Sequence, residues 1–563
     1  MLLPIIVSVA AVALGAALAL WPASDRALGP IRTFALIASL VVVITHLVPD
    51  AAEVLGFWVL PLFAAGLALP PAAELAARGL FRSLAGAQVG LEITYVGLLV
   101  HSVGDGVALG TYGGALSGEQ EHADVLIALA AHTVPVTAVV VLAYGAVIGR
   151  AAALGRAFGL ALATVAGVLV SGLIRPDLTE SFSAVVAGAV AGLLLHVVVH
   201  DPGADAPRDR LGRLLDVAAA AAGIALSAIG HGHHGPAGGG VGTELFALAL
   251  RVAPAVVAGA AAAVGLSFAL RRLGGAPYSE LSLRAAGQPL AVAEALERRG
   301  VAPGWVLGFL AAGAQLGVES LVATVILFGW RFAIVRALAA AAIGLAVALL
   351  CGPLAQRPQD EARPAAPPTT PSPAPQDLVR VIQTQGPWLV VGLAVAALLQ
   401  ATLDDVSGAA TLGTFGRLLA TTAIALPVYF SSLAALPIIG VLLAKGFSPS
   451  LALCALLLAT GPHLGAAVHG ARRHGRAATL LMLGVTVGVA WGFALLSTGW
   501  LHAELPRPAE LTAANGAAAL LVALLLLGAL YRSGVRQWLS DAIVVGLRPP
   551  AASGRSAPPH PGH

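Results

Sequence analysis

Charge is scarce in this chain. Asp, Glu, Lys and Arg make up 10% of its 563 residues, against 58% hydrophobic types. A soluble fold of that length needs far more charged surface, so the composition excludes a soluble globular class and indicates a polytopic, all-α membrane protein. Cysteine is almost absent. Cys351 and Cys454 both lie in apolar surroundings, which excludes a disulfide framework and a cysteine-based zinc site. Lys445 is the only lysine, and we read the arginine preference as a coding bias without functional meaning. No HExxH, phosphate-binding loop or nucleotide motif occurs, so neither a zincin-type hydrolase nor an ATP-driven pump is indicated, and no organic cofactor. The net charge of +3 is spread over short loops and points to no nucleic-acid partner. The N-terminus lacks the basic n-region of a leader, so residues 2–21 read as a first membrane helix.

What is abundant is long apolar stretches. Runs long enough to span about 30 Å of hydrocarbon lie near 2–21, 33–50, 55–75, 86–110, 124–147, 155–174, 181–200 and 213–230. Arginines fall in the odd-numbered loops (Arg26 and Arg32, Arg78 and Arg82, Arg150 and Arg156, Arg208, Arg210 and Arg213), and the even-numbered loops hold only Arg175. The positive-inside rule makes those loops cytoplasmic and puts both ends of this eight-helix half outside. Residues 231–242 form a His/Gly-rich joint, whose His231, His233 and His234 read either as a metal-collecting loop or as a solvated linker. A second block has spans near 245–270, 304–329 and 332–352, then a Pro-rich linker at 353–378. It continues with spans near 386–402, 415–443, 449–468, 478–498 and 512–531, and a tail over 536–563. The domain reading is therefore 1–230, the joint, 243–352 and 379–535 as two halves of a second bundle, and the tail.

Three polar pairs interrupt the first block at i, i+4 spacing: His46/Asp50, His101/Asp105 and His196/His200, with His132 in a fourth span. Residues four apart share a helix face, so each pair can offer two ligand atoms to one point. Ionisable groups in hydrocarbon are costly and usually line an ion or proton path. Imidazole with carboxylate suits zinc and its first-row neighbours. The bland alternatives are hydrogen-bonded core histidines and interfacial pairs. Glu92, inside the fourth span, reads as a snorkelling or interhelically paired acid.

The first 240 residues resemble the ZIP family of divalent-metal transporters. The resemblance rests on His46-Leu-Val-Pro-Asp50-Ala51, on His101, Asp105 and Gly106 with the Ala-Leu-Gly that follows, and on His132 with Pro135. It implies eight spans with both ends outside and an intramembrane metal path. Ser102, Thr133, Val136 and Thr137 depart from the family pattern and remove ligands of a two-metal site. What the resemblance leaves is one metal at His101, Asp105 and His132, helped by His46, Asp50, His196 and His200.

The second block carries a weak internal repeat. Arg299-Gly-Val-Ala-Pro-Gly-Trp305 and Lys445-Gly-Phe-Ser-Pro-Ser-Leu451 match, and Leu316-Gly317 with Leu464-Gly465 extends the pairing. Paired interrupted segments point to a transport site on broken helices. This block resembles a permease family that includes organoarsenical efflux permeases, through Gly304-Trp305-Val-Leu-Gly-Phe309, Leu327-Phe-Gly-Trp330, Leu426-Pro427, Leu442 to Pro449 and Leu458-Ala-Thr460-Gly-Pro462. Where that family carries Cys-x-Cys, this chain has Tyr429 and Ser431, so soft metalloid coordination there is excluded. Gln315 and Glu319 supply intramembrane polarity instead, with Glu319 reading either as part of a transport site or as an interhelical hydrogen-bonding acid. Asp404 and Asp405 mark a loop or interface rather than a site.

The expectation is thus a multi-pass cell-membrane transporter of a divalent cation, zinc foremost, and not an enzyme. The alternative is a permease exporting a small or metalloid-linked solute, with the first half degenerate or regulatory. The lipid bilayer and the metal cation are the expected partners, and assembly of identical copies stays open.

Overall fold

The computed structural model describes residues 2–20, 25–59, 61–69, 86–113, 123–171, 176–199, 209–228, 241–273, 287–356, 374–403, 413–427, 429–504, 512–535 and 538. Among the described residues every regular element is a helix. Among the described residues six helices are long and apolar enough to cross a membrane, and a bent pair around Gly317 adds a seventh. The outward faces suit lipid: on one helix Phe158, Leu162 and Leu169 are 69, 58 and 65% exposed. The architecture is that of a multi-pass membrane protein.

The chain divides into two compact units, the first comprising 1–246, 397–403 and 530–537, the second 247–396, 404–529 and 538–563. In the first, α1 (Leu2–Leu20) is followed by α2 (Asp25–Val42), which runs through a π turn (Val43–Leu47) into α3 (Val48–Leu55). Then come α4 (Gly86–Gly113), α5 (Ala123–Val147), α6 (Arg150–Val170), α7 (Pro176–Val199) and α8 (Arg210–Ala228), with residues 61–69 also helical. Helix α4 packs on α6 and α7, α1 on α5, and α2 on α8. Arg156, expected in a loop, lies inside α6, where its guanidinium meets Glu92 at 2.7 Å and covers the Tyr95 and Tyr144 rings. Glu92 is thus paired across helices.

In hydrocarbon, small residues let helix backbones approach closely. A Cβ on Gly106 would stand 2.1 Å from the Thr164 carbonyl, and one on Gly167 2.1 Å from that of Val103. Gly106 therefore has a packing role beside its place in the His101/Asp105 motif. Gly106→Ala is expected to destabilise the folded protein by about 1–3 kcal/mol through overpacking. Thermal unfolding in detergent checks this, and an unchanged melting temperature would refute the packing role.

The second unit carries the bodies of α9 (Val241–Arg272), α10 (Pro289–Arg298), α11 (Pro303–Ala312), a 3₁₀ turn (Gly313–Leu316), α12 (Val318–Phe328) and α13 (Trp330–Cys351). Next follow α14 (Ala374–Thr402), α15 (Thr414–Ala425), α16 (Ala435–Ala444), α17 (Pro449–Ala459), α18 (Leu464–Arg473), α19 (Arg476–Ser497) and α20 (Ala513–Ser533). Three sequence expectations change here. Residues 415–443 form two helices, α15 and α16, because the chain leaves the helix at Leu426-Pro427. Residues 449–468 pass through a break into α18. Helix α14 begins inside the expected 353–378 linker: Pro375 fits a helix's first turn, and Asp377, 1% exposed, is bonded by Ser267 and Arg271 of α9. Residues 231–240, 357–373, 404–412 and 539–563 lie outside the described residues.

The repeat is more regular than the sequence suggested. Helices α10 to α13 have counterparts α16 to α19, beginning at Pro289 and Ala435, Pro303 and Pro449, Val318 and Leu464, Trp330 and Arg476, each 146 positions apart. Helix α10 closes with Gly300 at φ +77° and a bond from Val301 N–H to Leu296 O of 3.2 Å. Helix α16 closes identically, with Gly446 at φ +88° and Phe447 N–H to Leu442 O at 2.9 Å. This is a Schellman cap, whose left-handed position favours glycine. Leu316-Gly317 and Leu464-Gly465 are out of register by two positions: the counterpart of Gly317 is His463, each capping the helix that follows.

The two copies are inverted. Glu504 N–H donates to Phe328 O at 3.1 Å, and Gln356 N–H donates to His474 O at 2.9 Å. Phe328 and His474 are counterparts, so each long helix starts beside the chain that leaves the other. Helices α13 and α19 consequently run antiparallel. The cross-packing is reciprocal as well: α10 lies on α18 and α16 on α12.

Candidate functional site

In the first unit, His101 and Asp105 lie one turn apart on α4, with Nε2 and Oδ2 3.4 Å apart and side chains 12 and 18% exposed. They share a face, as the spacing required. The π turn holds His46, and α3 begins with the turn that includes Asp50. Inserted turns of this kind are frequent at functional sites. The side chains of His46, Asp50, His132 and His196, and all of His200, lie outside the described residues. Of the seven expected ligands, the structure therefore brings together His101 and Asp105.

The second unit places polar groups where two broken helices meet. The span α11–α12 bends by 43° at its break. Its counterpart α17–α18 is interrupted at Thr460-Gly-Pro-His463. Breaking a helix in a membrane frees carbonyls that must find donors. Gln315 Nε2 donates to Ala311 O at 3.3 Å and reaches across to Leu457 O at 3.0 Å. Ser432 Oγ donates to Ala314 O at 2.6 Å. Gly461 allows the contact, since a Cβ there would stand 2.7 Å from Ala311 O.

Arg336 of α13, fully buried, holds the first break from behind. Its fork donates to Gln315 O at 3.3 Å, Ser320 O at 3.2 Å, Ser320 Oγ at 3.1 Å and Thr324 Oγ1. Glu319 is 4% exposed and accepts from Gln385 Nε2 at 3.4 Å. On the second break, His463 Nδ1–H donates to Gly461 O at 3.3 Å, and its ring packs 4.2 Å from that of Tyr429, which meets Trp388 edge-on. Among the described residues, Gln315 Oε1, Gln385 Oε1, His463 Nε2 and Arg336 Nε are buried without a hydrogen-bond partner. Buried unpaired polar atoms are costly, and a bound polar solute or water would satisfy them.

A third cluster lies where α10 meets α18. Glu297 Oε1 is 3.1 Å from His469 Nε2 and 2.9 Å from His474 Nε2. Glu297 Oε2 accepts the fork of Arg473 through Nε at 3.2 Å and Nη2 at 3.0 Å. Burial would push the Glu297 carboxyl up, but the bonds from His469, His474 and Arg473 outweigh it and hold the group well below the usual carboxylate range. The ligand atoms of Glu297, His469 and His474 all lie within 4.8 Å of one another, a group that could hold a metal ion. The sequence reading missed it. His469 and His474 are five apart, off the helical face-sharing interval, and Glu297 precedes them by more than 170 positions.

No protein-family model, curated protein or solved structure matches the chain.

Proposed function

We propose that this chain is an integral membrane transporter whose second unit is an alternating-access permease for a small polar solute. The observation that carries the reading is the inverted repeat, whose two interrupted helices meet at a buried set of unpaired polar atoms. Transporters are commonly built this way, with substrate held at discontinuous helices and the repeats rocking about it. Arg336 and Glu319 both lie buried at the first break, so groups of either sign face the site, which suits a small polar solute. A second reading concerns the first unit: passage of a zinc-class divalent cation through His101, Asp105 and His132, aided by His46, Asp50, His196 and His200. The close approach of His101 and Asp105 on one helix face supports it.

The permease reading is tested with Gln315→Cys in a Cys351→Ser, Cys454→Ser background in sealed vesicles. Labelling by a membrane-impermeant thiol reagent is expected, because a substrate site opens to water. Complete protection from both sides would overturn the reading. Zinc uptake into proteoliposomes tests the cation path: His101→Ala is expected to lower flux at least tenfold, and zinc flux that is absent or insensitive to His101→Ala would remove it.

A further inference from the structure

The cluster at α10 and α18 is used by neither path, and its hydrogen-bond inventory does not close without a cation or an added proton. His474 is fully buried. Its Nδ1 faces the carbonyl of Gln356 at 3.2 Å, which only accepts, so Nδ1 carries hydrogen. In the neutral ring Nε2 is then a lone pair, yet it stands 2.9 Å from Glu297 Oε1, another acceptor, with His469 Nε2 at 3.1 Å on the same oxygen. Three ligand atoms converge on one small space.

The surroundings are those of a metal centre. Histidine ligands are usually oriented by a bond from the other ring nitrogen to a carbonyl, as Gln356 provides, and carboxylate ligands are themselves hydrogen-bonded, as Arg473 provides on Oε2. A tetrahedral zinc with bonds of about 2.0–2.1 Å spaces its ligands about 3.3 Å apart. The two Glu297–histidine gaps, 3.1 and 2.9 Å, would widen by a few tenths of an ångström, and the imidazole nitrogens, like the rest of the group, lie within 4.8 Å of each other. The inverted repeat offers an internal control. The counterparts of Glu297, His469 and His474 are Leu443, Ala323 and Phe328, buried and apolar at 8, 0 and 1% exposure. This corner of the fold closes without polar groups in the other copy, so packing alone does not demand them here.

We propose that Glu297, His469 and His474 bind a zinc-class divalent cation, with a water as fourth ligand, which clamps the first copy of the repeat to the second at this end. The donor set, two imidazoles and one carboxylate, selects zinc, cobalt or nickel over magnesium or calcium. Rocking of the copies has to separate α10 from α18 or carry both together, so occupancy would regulate the permease without lying on its solute path.

The test uses the full chain in detergent, stripped with a chelator and titrated with zinc by calorimetry and with Co²⁺ by visible absorption. Other histidines contribute a background, so the readout is the difference between wild type and His469→Ala, a partly exposed position. One equivalent should vanish in His469→Ala and in Glu297→Gln, together with the intense tetrahedral Co²⁺ bands. Arg473→Leu should keep the equivalent but weaken it about 10- to 100-fold. Zinc should raise the melting temperature of wild type more than that of His469→Ala. Equal stoichiometry and equal zinc stabilisation in wild type and His469→Ala would overturn the proposal and leave a metal-free ionic lock. Neither outcome bears on the labelling of Gln315→Cys, so the two readings fail separately.

Discussion

Arg336→Met will leave little folded protein. The methionine fits the space and adds no charge, but it removes the charged donor from Gln315 O, Ser320 O, Ser320 Oγ and Thr324 Oγ1, of which Ser320 and Thr324 keep their bonds to Gly317 O and Ser320 O. Hydrogen bonds to a charged group contribute about 1.5–3 kcal/mol each, and domains are stable by only about 5–15 kcal/mol. A loss of at least 3 kcal/mol is expected, read as a collapse of the monodisperse peak on size exclusion or a large fall in melting temperature. The double variant Arg336→Met, Glu319→Gln separates two causes. If the unscreened charge of Glu319 were responsible, the double variant would recover. We expect little recovery, because Gln315 O at the helix break still lacks the donor that Arg336 supplied.

That expectation marks how far the sequence could be read. The helices were legible because apolar run length is a local property, and the Gly-x-x-Pro caps at Gly300 and Gly446 announced the repeat because a left-handed turn and a first-turn proline each demand a residue type. Gln315 and Glu319 were visible as polar residues in an apolar run. Arg336 was passed over: its partners lie 12 to 21 residues away and on the facing helix, so no spacing rule connects them. The register of the repeat slipped by two at the break, since Leu-Gly pairs are common here and the true counterparts, Gly317 and His463, differ in type. Glu297, His469 and His474 escaped for a related reason. His474 lies one residue beyond α18, where helical periodicity no longer ranks neighbours, and its carboxylate partner belongs to the other copy of the repeat. Inversion brings sequence-distant ends together, and no linear pattern records that.

The same inversion makes the stability of the α10–α18 contact depend on acid in a definite direction. In chelator-treated protein Glu297 is held well below its ordinary range by His469, His474 and Arg473, and it is 5% exposed, so solvent screens the pairing little. The unfolded chain returns the group to about 4.3. A depressed folded value means the stabilisation is complete above the unfolded value and is lost as pH falls towards the folded one. Wild type should therefore lose its margin over Glu297→Gln at up to about 1.4 kcal/mol per pH unit below about 4. Between pH 5 and 3 the two melting curves should converge, because glutamine has no proton to take up. A margin between wild type and Glu297→Gln that stays constant down to pH 3 would mean the carboxylate is not held by this network, and that α10 and α18 are joined by packing alone.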